Sequence, residues 1–217
     1  MVDLKLNELQ RQRQEKLAKL KSTTSNIYPQ PNLENKLTTS QAKEKMDQQV
    51  LVAGRIMSLR GHGKIMFADL QDRVGKIQLF FQEKTLVEKM ANTKLLDLGD
   101  IVSISGTIFK TQAGEITINV EDFQILAKNI RPLPEKWHGL KDIETSYRQR
   151  YVDLIVNPES RQVFETRTKI LSEMRHFLDD HGFMEVETPI LQPVYGGAAA
   201  KPFVTHHNEL EMDMYLR

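Results

Sequence analysis

The sequence predicts an α+β chain in three parts: an N-terminal helix, a five-stranded β-barrel, and a long helix leading into a further strand. Three observations predict it. From about Gln49 to Asn129 apolar and polar residues alternate with a period of two. Before Asp47 and again after Asn157, apolar residues recur at three-and-four spacing. Segments rich in proline, serine and threonine part these regions.

Composition sets the outer limits. A chain of 217 residues with 40% hydrophobic residues can bury real cores. Its 30 basic and 29 acidic residues nearly cancel, which excludes a polycation that coats nucleic acid indiscriminately. Any nucleic-acid contact must come from a local surface. The absence of cysteine excludes disulfide frameworks and thiolate metal sites. The opening "MVDLKLNELQRQRQEKL" lacks the apolar core of a signal peptide, and no apolar run approaches the ~20 residues a bilayer requires. A soluble, cytoplasmic protein without a membrane partner is expected.

Region 1–47 holds a basic amphipathic helix and a linker. In "LNELQRQRQEKLAKLK", Leu6, Leu9, Arg13, Leu17 and Leu20 lie near one face, and "STTSNIYPQPN" ends the helix. Two readings stay open: a solvated lead-in, or a basic helix lying along RNA phosphates. Region 48–130 carries five strands: "QVLVAGRIMSL", "KIMFADLQ", "GKIQLFFQ", "DIVSISGTIFK" and "EITINVEDFQIL". "GHG", "DRVG" and "TQAG" supply turns, and "EKTLVEKMANTKLLDLG" between the third and fourth strands reads as a short helix closed by glycine. This order fits a Greek-key barrel of the oligonucleotide-binding (OB) type, with a half-open five-stranded barrel of another class as the alternative.

Region 131–150 is a linker, whose "IRPLPEKWHGLKD" suggests chain packed against something. Region 151–217 holds the strongest helix signal. Asn157 is placed to N-cap it, Pro158 and Glu159 follow, and Gly182 closes it. Val163, Phe164, Ile170, Leu171, Met174, Phe177 and Leu178 form its apolar stripe, and "EVETPIL" beyond reads as a strand.

Strand parity sorts the barrel's faces. Ile77, Leu79 and Phe81 point inward and leave Gln78, Phe80 and Gln82 outside. Ile116, Ile118 and Val120 point inward and leave Thr117, Asn119 and Glu121 outside. Met66, Ala68 and Leu70 leave Phe67 and Asp69 outside, with Arg60 ending the preceding strand. Exposed aromatics, amides and carboxylates are the groups that stack and read unpaired bases. The same pattern also suits aromatics buried under another domain beside ordinary solvated polar residues.

Other chemistries find little support. "RGHGKI" and "GGAAAKP" lack the G-x-x-x-x-G-K-[ST] arrangement of a phosphate loop. His206 and His207 are adjacent and would face opposite ways on a strand, and His176 and His181 are out of i,i+4 register. No catalytic and no metal-ligating residue is assigned.

Four pieces, "IRPLPEKWHGL", "YRQRYVDLI", "GFMEVETPIL" and above all "GGAAAKPFVTHHNELEMDMYLR", carry a resemblance. Along nearly its whole length the chain resembles the amino-terminal part of bacterial-type class II lysyl-tRNA synthetases. Aspartyl and asparaginyl synthetases share the barrel and a similar "EVETPIL", but their following loop reads differently. The resemblance implies an OB-fold anticodon-binding domain followed by the start of a class II catalytic domain. It implies that Phe67 stacks a base of the U-rich anticodon of lysine tRNA, that Gln78 and Glu121 read base edges, and that Arg60 assists. It places Phe183, Glu185, Glu187 and Pro189 in motif 1, the homodimer interface, and Gly196, Gly197 and Ala198 in a mobile loop beside the lysine pocket.

The family uses ATP and Mg²⁺ through motifs 2 and 3, which would lie beyond Arg217. The resemblance therefore implies that this chain alone is inactive and binds neither. Expected partners are lysine tRNA and, through motif 1, a second copy or a full-length synthetase, but not DNA. The alternatives are a non-catalytic tRNA- or RNA-binding module, or an interaction partner of a full-length synthetase. Apolar residues after about Leu140 are expected to be dimerised, aggregation-prone or loosely ordered, while the barrel folds alone.

Overall fold

The computed structural model describes residues 8–24, 26–61, 64–87, 89–134, 142–196 and 201–216. It divides into two compact units, Met1–Val152 and Asp153–Arg217.

In the first unit β-branched and aromatic residues at alternate positions build five strands: β1 (Gln49–Arg60), β2 (Ile65–Gln71), β3 (Lys76–Gln82), β4 (Ile101–Lys110) and β5 (Ile116–Ala127). They close in the order β1-β2-β3-β5-β4. The β3–β5 pair is parallel and the others antiparallel, with β1 against β4 completing the circuit. Closure leaves no sheet edge to template further pairing. This is the OB arrangement expected from the order of elements.

One side of every strand fills the interior. Val52, Ile56, Ala68, Leu70, Leu79, Phe81, Val102, Ile104, Ile108, Ile118 and Val120 are fully buried. The parity reading thus holds for β2 and β3. On β5 it needs one correction, because Thr117 faces outward yet is also fully buried. A bulge interrupts the β4–β5 register between Ser105 and Gly106. There a Cβ on Gly106 would sit 2.1 Å from the Asn119 carbonyl oxygen, so only glycine fits.

Two helices brace the barrel. α1 (Glu8–Thr23) packs Leu20 against the core, while Leu9 stays exposed. The buried member of its stripe is Arg13, whose Nη1 donates to the Asn129 carbonyl at 3.0 Å. Lys16 Nζ donates to Asp97 Oδ1 at 2.7 Å. Asp97 also meets Lys128, which is buried and donates to Asp100 Oδ2 at 2.6 Å. Burial pushes the Asp100 carboxyl up, against the downward pull of Lys128 and of the Asn129 and Asp97 N–H groups. α2 (Thr39–Lys43) starts on a capping box between Thr38 and Gln41. Asp72 then ties it to the β2–β3 turn, accepting from Thr39 N, Thr39 Oγ1, Val74 N and Gly75 N.

The helix expected between β3 and β4 is a 3₁₀ segment, Met90–Leu95. Leu86 before it and Leu96 after it both enter the core and anchor the chain on either side of this short segment. Trp137 and its neighbours in the linker, like Leu6, lie outside the described residues.

Two short helices come next, α3 (Ile143–Arg148), inside the region 131–150 expected as linker, and α4 (Arg150–Val156); neither had a distinct signature in the sequence. α5 (Pro158–Asp180) runs as expected. Asn157 occupies the N-cap, but its amide donates to Asp153 Oδ1 at 2.5 Å instead of capping α5. Gly182, at φ 78°, ends the helix in a Schellman turn: Phe183 N donates to Leu178 O and Gly182 N to Asp179 O. The strand expected at "EVETPIL" is confined to β6 (Leu191–Gln192). Residues 183–189 are not part of a strand, and Pro189 has no N–H to offer a ladder. β6 pairs with β8 (Met212–Leu216), which pairs with β7 (Val204–His207). Among the described residues no helix is long and apolar enough to cross a membrane.

Candidate nucleic-acid interface

The outer face of β1, β2 and β3 gathers three of the four expected base-reading residues. Phe67 pairs directly with Phe80 across the β2–β3 ladder and with Arg60 across β1–β2. Arg60 is held, not free to wander: its Nη2 donates to Asp69 Oδ1 at 3.0 Å, and Ser58 Oγ donates to the other oxygen of Asp69. Asp69 in turn pairs with Gln78. The Arg60 side chain stays more than half exposed, and a guanidinium has five N–H donors, so some remain for a phosphate or a base.

Gln78 is fixed at both ends of its amide. Oε1 accepts from Thr117 Oγ1 at 2.9 Å, and Nε2 donates to Glu115 Oε2 at 2.9 Å. These bonds assign the amide's orientation and leave one Nε2 hydrogen for a ligand. Beside it lies a groove of about 380 Å³ lined by Lys43, Asp69, Lys76, Ile77, Gln78, Glu115 and Ile116. It offers a donor, carboxylates and two cations side by side.

Glu121 stands elsewhere. It lies at the β4–β5 bulge, where Thr107 Oγ1 donates to one oxygen at 2.6 Å and Gln49 Nε2 to the other at 3.1 Å. The carboxylate that meets Gln78 is Glu115, which the sequence reading passed over. Parity selected Glu121 because it is the third outward position on β5. Glu115 precedes that strand, in the "TQAGE" turn, and the signal for it was that this turn must close beside Gln78 once β3 and β5 pair.

In the second unit, Phe183, Glu185, Glu187 and Pro189 are all exposed. Glu185 accepts from Arg175 Nε at 3.1 Å. α5 buries none of its residues, and Val163, Ile170, Met174 and Phe177 are each more than half exposed. Gly196 has open space around it, whereas Gly197 and Ala198 lie outside the described residues. His206 Nδ1 meets Asp213 Oδ1 at 2.9 Å. Among the described residues no three His, Asp or Glu side chains converge as metal ligands would.

Comparison with known proteins gives this arrangement a family. Residues 50–126 match the OB-fold nucleic acid binding domain of the tRNA anti-codon family, and residues 142–217 match class II tRNA synthetases of the D, K and N group. A lysine–tRNA ligase of Clostridium botulinum (strain Langeland) is 51% identical over 216 residues. The chain is similar to the amino-terminal part of the lysine–tRNA ligases. The match covers 97% of this chain and 43% of that relative. Lysine–tRNA ligases of Thermoanaerobacter sp. (strain X514) and Syntrophomonas wolfei are 52% and 51% identical, over 98% and 99% of this chain and 44% of each relative. The chain thus spans under half the length of these lysine–tRNA ligases, along their amino-terminal part.

Proposed function

We propose that this chain supplies the anticodon-reading barrel and the motif 1 segment of a lysine–tRNA ligase. The observation that carries the reading is the fixed pair of Gln78 and Glu115 beside Phe67 and Arg60 on one outer face. A ring stacks an unpaired base, and the amide and carboxylate then meet its Watson–Crick edge. Uracil presents a carbonyl acceptor next to its N3–H donor. The remaining Nε2 hydrogen of Gln78 and the Glu115 carboxylate match that pair in order. Cytosine would set its N3 lone pair against the carboxylate. The face is therefore suited to a uracil, as the U-rich anticodon of lysine tRNA requires.

Motif 1, with Phe183, Glu185, Glu187 and Pro189, would join a second copy or a full-length synthetase, since α5 and the segment after it leave their apolar groups uncovered. Gly196, Gly197 and Ala198 would border the lysine pocket. The family's activation of lysine uses ATP and Mg²⁺, and within that reaction this chain's residues would serve tRNA selection and assembly.

Fluorescence anisotropy with a UUU anticodon stem-loop, against one with cytosine in the middle, tests the reading at a fixed salt concentration. Selective binding that disappears in Phe67→Ala and Gln78→Ala is the expected result. Equal, weak and salt-sensitive binding to both stem-loops would overturn it.

A further inference from the structure

Phe67 is one end of a row of three rings. Its centroid lies 4.9 Å from that of Phe80, which lies 5.9 Å from that of Phe109 on β4. Phe80 pairs with Asn119 and Phe109 with Thr117, so the two rings reach toward each other across β5. Thr117, outward-facing on β5 between Gln78 and Phe109, is fully buried.

The row is not needed to fill the barrel. The interior is packed from the opposite faces of the same strands by Leu79, Phe81, Ile108 and Ile118, all fully buried, whereas the three rings are only half-buried. Their polar surroundings point to one kind of ligand. On one side Gln82 Nε2 donates to Asn119 Oδ1 at 2.9 Å, which leaves the Asn119 amide hydrogens for a base carbonyl. On the other stand Gln78 and Glu115. Lys110, next to Phe109, is exposed, and Lys43 and Lys76 line the adjoining groove. Rings flanked by amides and cations, continuous with the Phe67 site, match a single-stranded nucleic acid with its bases on the rings and its phosphates on the lysines.

We propose that Phe109 is a second base-stacking surface, which holds the nucleotide next to the one stacked on Phe67, with Asn119 facing its edge. The proposal rests on the anticodon-reading function argued above. It makes the barrel a reader of two consecutive bases, with Phe80 as the spacer ring between them.

The test uses the full chain and anticodon stem-loops carrying a fluorescent uridine analogue at one loop position at a time, whose emission falls on stacking. Two adjacent positions should be quenched in the wild type. Phe67→Leu should abolish quenching at one, and Phe109→Leu at its neighbour alone, with affinity falling roughly tenfold. Phe109→Tyr, which keeps a ring, should restore it. Quenching at both positions that survives Phe109→Leu would overturn the proposal. So would a loss at both positions that tracks a lowered melting temperature, which would make Phe109 a support for Phe80. Quenching only at the Phe67 position in the wild type overturns this proposal alone. No quenching at any position overturns the anticodon reading and this proposal together.

Discussion

Glu115 and Glu121 show what a single carboxylate's surroundings decide. Both are outward and exposed, but one lies beside a fixed amide and the other is bonded by Thr107 and Gln49 at a bulge. Glu115→Gln should therefore erase discrimination between the uracil and cytosine stem-loops, because a neutral amide no longer repels the cytosine N3. Glu121→Gln should leave that discrimination intact in the same anisotropy titration; the opposite pattern would return the reading role to Glu121. Alternation tells which face a residue takes, so Phe67 and Gln78 were legible in the sequence. It does not tell how a turn folds back, and Glu115 sits in a turn. Thr117 was legible as outward but not as buried, because what flanks it is set by the pairing of β5 with β3 and β4, which puts Gln78 and Phe109 beside it. Lys128 was not legible at all: a lysine at the end of a strand gives no sign that two aspartates from a preceding loop enclose it. Lys128→Met should cost about 3–5 kcal/mol in denaturant unfolding, since it leaves Asp97 and Asp100 without their buried cation. A loss well under 1 kcal/mol would mean the pair is solvated.

Among the elements, α2 depends most on one distant side chain. Its Thr39 is fully buried, and the partner of that hydroxyl and of its N–H is Asp72 in the β2–β3 turn. Burial pushes the Asp72 carboxyl up, but the bonds from Thr39, Gly75 and Val74 outweigh it and hold the group below its usual range. A depressed folded value means that the carboxylate stabilises the fold above the unfolded value of about 3.9, and that this contribution fades as pH falls through the folded one. Asp72→Ala should thus destabilise the barrel by about 1–3 kcal/mol at pH 7. The gap between wild type and variant should narrow below about pH 4. Thermal melts across that range read it directly, and a gap independent of pH would rule out the ionised carboxyl as the cause. The strands and α5 were legible because their periods are long and regular, as was the Gly182 stop. The 3₁₀ segment and the truncated "EVETPIL" strand were not, since each depends on what the rest of the chain places at its ends.

At the scale of the whole chain the two units contrast in how they bury apolar groups. The barrel encloses its core on every side and closes its own edges. The second unit has an apolar helix face with no buried residue, a three-stranded sheet, and exposed Phe183, Met184, Val186 and Ile190 between them. Such a surface gains little from folding until something covers it. On the assembly through motif 1 proposed above, a second copy is the cover. The barrel should therefore be the more stable unit in a monomer. With the chain diluted until sedimentation shows a monomer, trypsin should cut first in α5, at exposed Arg167, Lys169 and Arg175, and leave a resistant fragment containing the barrel. Raising the concentration until dimers form should protect those same bonds. Equal resistance of both units in the monomer would show that α5 is stable without a partner, and its apolar face would then need another explanation than assembly.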